Sequence, residues 1–284
     1  KDNDTHVIPT DTLYITIDKE AVRRSGMMMA SDTIPDRMVI SLAGKRAIYK
    51  NDMMMLEMLA QCNWERPLYV ATTVGSDNYM NLGDNFVQEG LAYRITPFNT
   101  KAPGAKNFDT EKVYNNVMNR FKWGGLDKPG LYIDETVMRM CYTHRHLLAQ
   151  LAMQLIAEGQ NAKAEKVLRK AEKVLPEYNV PYTFMSGAAD MARAYALIGK
   201  KADAARILNK VWADAKSYAD YYLQLTGSRF MMSQNDVLRQ LYIMQNIADI
   251  TQACDHSLAD QRLKTVNALY AVYQAKGGAP YDGE

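Results

Sequence analysis

Cysteine is scarce in this chain and widely scattered. Cys62, Cys141 and Cys254 are too few and too far apart for a disulfide framework, and no Cys-x-x-Cys pair offers metal-ligand spacing. Their odd number also excludes a complete set of internal bridges, and they say nothing of redox compartment. Long apolar runs are missing too. A bilayer core takes about 20 consecutive apolar residues, and charged or strongly polar side chains interrupt every apolar stretch sooner. Nor is one sign of charge in excess. A formal net charge of +2 excludes a dedicated nucleic-acid binder, which must concentrate cations against phosphate. No initiator Met and no basic-then-apolar leader precede Lys1-Asp2-Asn3-Asp4, so the chain reads as a piece of something longer.

Catalytic signatures are equally sparse. There is no Gly-x-Ser-x-Gly elbow and no phosphate loop. Carboxylates are plentiful, but none is paired in an acid/base context. Asp77 and Asp84 flank a turn-rich stretch and are expected to cap local structure. His6 and His256 belong to no recognisable pattern. His144 and His146 stand two apart on a helix, so they point to different faces and cannot share a metal as an i, i+4 pair can. His144 falls on an apolar stripe and is expected to be a hydrogen-bonded core histidine. The residues therefore nominate no catalytic group, no metal site and no cofactor.

What the chain does have is a core and two kinds of periodicity. Hydrophobic residues make up 48% and charged residues 23% of 284 residues, enough for two domains or a domain and a repeat array. Of the 18 Met residues, the clusters Met27-Met28-Met29 and Met53-Met54-Met55 are expected to fill core space. Strand signals occur at Leu13–Ile17, Met38–Leu42, Leu68–Thr72 and Leu91–Thr96, with a helical face from Asn51 to Cys62 between them. Such alternation predicts a small mixed α/β layer over residues 1–100. Strand order is not readable. Pro97, Pro103 and Gly104 punctuate a polar stretch, and a linker with one short helix is expected over 101–133.

From Asp134, an N-cap type, the period turns helical and stays so through 284. Val137, Cys141, His144, Leu148, Leu151 and Leu155 recur at alternating intervals of four and three. Ala164, Val167, Leu168, Ala171 and Leu175 line a second helix, stopped by Pro176. The pattern then repeats at a 40-residue step, Gly159 to Gly199, Ala164 to Ala204 and Leu168 to Leu208. Two further helices are expected: one near Asn235–Ala253 with Leu238, Leu241, Tyr242 and Ile250 inward, and one from Ser257 with Asp260 as an imperfect capping box. Six helices make three hairpins, the usual minimum for a stack, though the step is longer than the usual tetratricopeptide period of about 34. The fold class expected is α+β overall, a small mixed α/β N-terminal layer followed by an all-α tetratricopeptide-like helical hairpin array. The basic side of the second helix, Lys163, Lys166, Arg169, Lys170 and Lys173, is expected to be a solvated face. Tyr182, Tyr195, Tyr218, Tyr221 and Tyr222 suit peptides or sugars if they face outward, and packing if they do not.

Four segments have a familiar look in this order: Asn63-Trp64-Glu65-Arg66-Pro67-Leu68-Tyr69-Val70-Ala71, Glu89-Gly90-Leu91-Ala92-Tyr93-Arg94, Phe121-Lys122-Trp123-Gly124 and Arg139-Met140-Cys141-Tyr142-Thr143-His144-Arg145. Together they resemble the C-terminal non-membrane region of a large family of multi-pass membrane proteins common in Bacteroides and its relatives, labelled as of unknown function and related to protein O-mannosyltransferases. The resemblance runs from about Asp11 to Gly199. It implies a periplasmic location, tethered to the inner membrane through N-terminal spans absent here, and a partner membrane glycosyltransferase module that holds the catalytic acid. Trp64, Arg66, Tyr69, Glu89, Tyr93 and Arg94 match its motifs and, with Tyr195 and Tyr222 from the array, are the candidate binding residues. The implied function is a non-catalytic accessory domain that binds or positions a protein acceptor. The alternative is a free-standing periplasmic helical-repeat protein that binds glycans or peptides.

Overall fold

The computed structural model describes residues 8–279, so His6 lies outside the described residues. The fold is α+β, 57% helix and 8% strand, with the strands confined to the N-terminal part. Contacts divide the chain into two compact units, residues 1–116 and 117–284.

The first unit holds two small antiparallel sheets. In one, β1 (Thr12–Thr16) pairs with β2 (Arg37–Ser41), and strict alternation on β2 turns Met38 and Ile40 inward. Between them lies α1 (Lys19–Arg24), started by Asp18, whose carboxylate accepts from the N–H groups of Glu20 and Ala21 at 2.9 and 3.0 Å. Next, α2 (Lys50–Gln61) turns Leu59 into the core but leaves Met53 62% and Met54 55% exposed. The methionine clusters therefore split. Met27 packs inside and Met55 against the core, while Met29, Met53, Met54 and Met58 face solvent, because one helix buries only one stripe.

The second sheet has the order β3 (Tyr69–Ala71), β5 (Ala92–Ile95), β4 (Phe86–Gln88), with β5 central. Residues 101–109, within the stretch expected as linker, are bonded into this unit. Gln88 N donates to Asn107 O at 2.8 Å and Lys106 N to Ala30 O at 3.1 Å. Then α3 (Thr110–Asn115), capped by Asp109, runs into a π turn over Asn116–Arg120.

The second unit is a stack of helices: α4 (Glu135–Ala157), α5 (Asn161–Val174), α6 (Ala188–Leu197), α7 (Lys201–Gln224), the short α8 (Gly227–Met232), α9 (Gln234–Gln252) and α10 (His256–Ala275). Each long helix packs on its successor in the pairs α4–α5, α6–α7 and α9–α10, while α4 also meets α6 and α7 meets α9. Two helix ends 40 residues apart close with like backbone bonds. At Gly159, φ is +75°, Gly159 N donates to Ile156 O and Gln160 N to Leu155 O. At Gly199, φ is +78°, Gly199 N donates to Ala196 O and Lys200 N to Tyr195 O. Both are the same helix-ending motif, in which a left-handed residue lets its own N–H and that of the next residue reach back to orphan carbonyls. Ala164 and Ala204 are then fully buried at the equivalent place, where a small side chain lets helices close up.

Two expectations are corrected here. Tyr242 is 65% exposed; α9 instead buries Leu241, Met244, Ile247, Ala248 and Ile250, because it is flanked by several helices. The cap of α10 is Asp255, whose carboxylate accepts from Leu258 N at 3.0 Å, so the helix starts one residue before Ser257. The basic side of α5 is also more than a solvated face. Arg169 grips Asp203 of α7 through two bonds of 2.8 and 2.6 Å, Arg206 of α7 reaches Glu172 at 2.8 Å, and Lys200 reaches Glu165 at 2.9 Å.

The deepest charge in this unit is Arg145 on α4, 0% exposed. Its terminal nitrogens donate to Leu175 O at 2.9 Å, Val180 O at 2.6 Å and Pro181 O at 3.1 Å. The Tyr182 ring lies 4.9 Å from the guanidinium carbon. Burial pulls its pKa down to about 10, so the charge persists at neutral pH. Arg145→Met would leave those carbonyls unpaired in the interior. A loss of about 3 kcal/mol is expected, measured as a lowered denaturant midpoint.

Candidate functional site

Three of the candidate residues converge in the first unit. Glu89 follows β4 and opens the turn to β5, where Gly90 at φ +137° takes a conformation that a side chain would disfavour. Glu89 N donates to Ala92 O at 3.0 Å, closing the turn. Tyr69 on β3 is the cross-strand partner of Arg94 on β5. That register sets the phenol, the carboxylate and the guanidinium side by side. Tyr69 Oη donates to Glu89 Oε2 at 2.6 Å, and Arg94 Nη1 stands 3.6 Å from Glu89 Oε1. Lys112 of α3 completes the group at 2.8 Å from Oε1. The two cations also hold the end of α1: Arg94 donates to Ser25 O at 3.1 Å and Lys112 to Gly26 O at 3.4 Å. Asn116 Nδ2 donates to Glu89 O at 2.9 Å.

The centre of the arrangement is buried, while Tyr69 and Lys112 reach it from the surface. Glu89 is 6% and Arg94 3% exposed. Burial first, then the Glu89 carboxylate, pushes the Tyr69 phenol up to about 12, so it stays a proton donor throughout the physiological range. Trp64, Arg66 and Arg94 share a crevice with Met27, Leu59, Cys62, Pro67, Leu68 and Ile95 that has no room for a water molecule. Trp64 is buried and holds φ +61° just after the end of α2, while Arg66 is exposed. Tyr93 stacks on Phe86 at 5.5 Å. A carboxylate that accepts from Tyr69 and Lys112 and pairs with Arg94 ties strands to helices.

The two candidates of the second unit behave differently from each other. Tyr195 on α6 is 0% exposed, with the Arg169 guanidinium 5.1 Å over its ring. Burial and then Glu172 raise its pKa. Tyr222 near the end of α7 is half-buried and packs with Tyr218 at 6.4 Å and Tyr221 at 5.3 Å, both of which are exposed. His144 is half-buried, its Nδ1 2.6 Å from Met140 O and its ring 5.7 Å from that of Trp123. Among the described residues no group of three or more His, Cys, Asp or Glu could hold a metal ion, and no helix is long and apolar enough to cross a membrane.

Residues 1–114 match the family described as TMEM260-associated domain 2. No curated protein and no solved structure matches the chain. The match takes in the Asn63–Ala71 and Glu89–Arg94 segments and every side chain around the Glu89 carboxylate. The Phe121–Gly124 and Arg139–Arg145 segments lie beyond it.

Sequence reasoning missed Lys112 in this group, and no local signal marks it. Arg145 and Arg262 were also missed as buried charges. Each sits at helical spacing on an apolar stripe, Arg145 between Cys141 and Leu148, Arg262 between Ala259 and Val266. A charge in such a place is the signal that would have found them.

Two outcomes test this description. Glu89→Gln would leave Arg94 and Lys112 without a counter-charge and is expected to cost about 3 kcal/mol; Tyr69→Phe, which removes one hydrogen bond, about 1 kcal/mol. Urea unfolding of both variants gives the ranking. In the second unit, Asp190 Oδ2 stands 3.7 Å from His146 Nδ1, and that carboxylate, then the Met185 carbonyl, raises the His146 pKa against partial burial. A folded pKa above the unfolded value adds stability that is full below about pH 6.5 and is lost as pH rises through the folded value. The stability gap between wild type and Asp190→Asn should therefore be present near pH 5.5 and close by about pH 9.

Proposed function

We propose that this chain is a non-catalytic periplasmic accessory domain of a membrane glycosyltransferase-like protein, where it binds or positions a protein acceptor. The observation that carries the reading is the match of residues 1–114 to a TMEM260-associated domain, in keeping with the motif resemblance to relatives of the protein O-mannosyltransferases. The Glu89 group supports an accessory role because its charges are spent on tying the fold together. The helical stack supports a binding role because paired helices leave long side-chain-lined surfaces between them. In this reading the partner is a membrane module N-terminal to this region in the same protein, and catalysis belongs to that module.

A second reading, a free-standing periplasmic helical-repeat protein for glycans or peptides, is favoured by the exposed Tyr218 and Tyr221 beside Tyr222. Reading the gene upstream of Lys1 separates the two, since about ten apolar spans would exclude a free-standing protein and their absence would exclude the first reading. The purified chain, incubated with a lipid-linked mannosyl donor and acceptor protein, is expected to transfer no sugar. Transfer by this chain alone would overturn the accessory reading.

A further inference from the structure

Three arginines are buried among the described residues, and they differ in what balances them. Arg94 has the Glu89 carboxylate, and Arg145 has three backbone carbonyls. Arg262 on α10, 4% exposed, has neither. One of its terminal nitrogens donates to Thr251 Oγ1 and the other to Asn209 Oδ1 at 2.6 Å, while Nε, like that of Arg94 and Arg145, is buried without a partner. Both acceptors are neutral. Asp255 acts on the guanidinium only through space. Thr251 is held in place, because its hydroxyl donates to Ile247 O at 2.6 Å and turns its lone pairs to the arginine. The Trp212 ring lies 5.0 Å from the guanidinium carbon. A guanidinium keeps its proton in such a setting, so a positive charge stands unbalanced in the interior, where charges are ordinarily paired.

That charge borders an opening. Asn209 and Trp212 of α7 face Leu258, Gln261, Arg262 and Thr265 of α10 across a depression of about 390 Å³, within the range of small-ligand sites. α9 packs against both helices and holds Arg262 from behind through Thr251. The lining offers one cation, two amides, a hydroxyl, an indole and a leucine. We propose that this trough binds a carboxylate borne on a peptide segment, with Arg262 as charge partner and Trp212 and Leu258 as the wall for the adjoining apolar side chain. A peptide fits better than a sugar acid: the indole face is engaged by Arg262, leucine adds an apolar wall, and Gln261 and Asn209 offer the amide groups that pair with a peptide backbone. The proposal rests on the acceptor-binding reading for its ligand class and gives that reading a place.

The test follows the indole N–H of Trp212 by NMR in the whole chain. The probes are acetyl-Leu-Glu-Leu-amide, its Gln analogue, acetyl-Leu-Leu with a free terminal carboxylate, and glucuronate. At least tenfold tighter binding of the Glu peptide than of the Gln analogue is expected for a side-chain carboxylate, and of the free-terminus peptide for a chain-terminal one. Arg262→Gln removes the charge but also a buried group. Thr265→Glu, at the half-buried rim, is therefore the companion variant: it sets a competing carboxylate in the trough and should weaken peptide binding at least tenfold with the thermal midpoint kept. Equal binding of the Glu and Gln peptides with no preference for the free terminus, no shift of the Trp212 signal, or a glucuronate response as strong as the peptides' would overturn the proposal. Acceptor recognition that survives Thr265→Glu would sink this site and spare the accessory reading. Peptide binding here by a chain whose gene encodes no membrane spans would do the reverse.

Discussion

The interaction on which the helical unit depends is the seat of Arg145. A guanidinium with no exposure to water must find partners internally, and its terminal nitrogens do so on carbonyls that other elements leave over. Leu175 O belongs to the C-terminal end of α5, where the helix has no further N–H groups to offer. Val180 O and Pro181 O belong to the segment that leads into α6. One side chain of α4 thus fixes both the end of its own hairpin and the entry to the next. The crowding is tight enough that a Cβ on Gly187, at φ +75°, would stand 3.0 Å from His146 N.

Buried charge does a comparable task in the sheet unit by opposite means. There the central group is an anion, Glu89, and its donors come from β3, β5 and α3. The desolvation cost of such a group is offset only when its partners are all in place, so the knot specifies register and docking more than it adds net stability. The side chains around the Glu89 carboxylate all lie inside the span matched to the TMEM260-associated domain. Arg262 is the case where the balance is left open, and it faces the trough between α7 and α10.

Much of the local structure was legible in the sequence because it rests on local rules. Asp134 caps α4 as its type and position suggest, Gly159 and Gly199 end helices in the same left-handed geometry, and strands form where β-favouring residues alternate. What escaped depended on neighbours distant in sequence. Phe86–Gln88 has no alternation, since a strand covered on both sides buries every residue. Tyr242 and the exposed methionines of α2 were misread because composition names a hydrophobic side chain but not the side on which a partner stands. The Pro97–Gly104 punctuation suggests a boundary near residue 100, whereas contacts divide the chain at 116 and 117, because segment 101–116 returns to pair with Gln88.

The candidate site divides along the same line. The sequence by itself determined most of the elements, the two regimes of periodicity, the like helix ends at Gly159 and Gly199 and the motifs that contain Tyr69, Glu89 and Arg94. It could not determine that these three meet, that Lys112 joins them, or that Tyr195 is sealed from solvent. Only the tertiary structure decided those points. Hydrogen bonds and ion pairs act over about 3–4 Å in space, and Tyr69 and Lys112 lie 20 and 23 residues from Glu89 in the chain, a distance that no local pattern encodes.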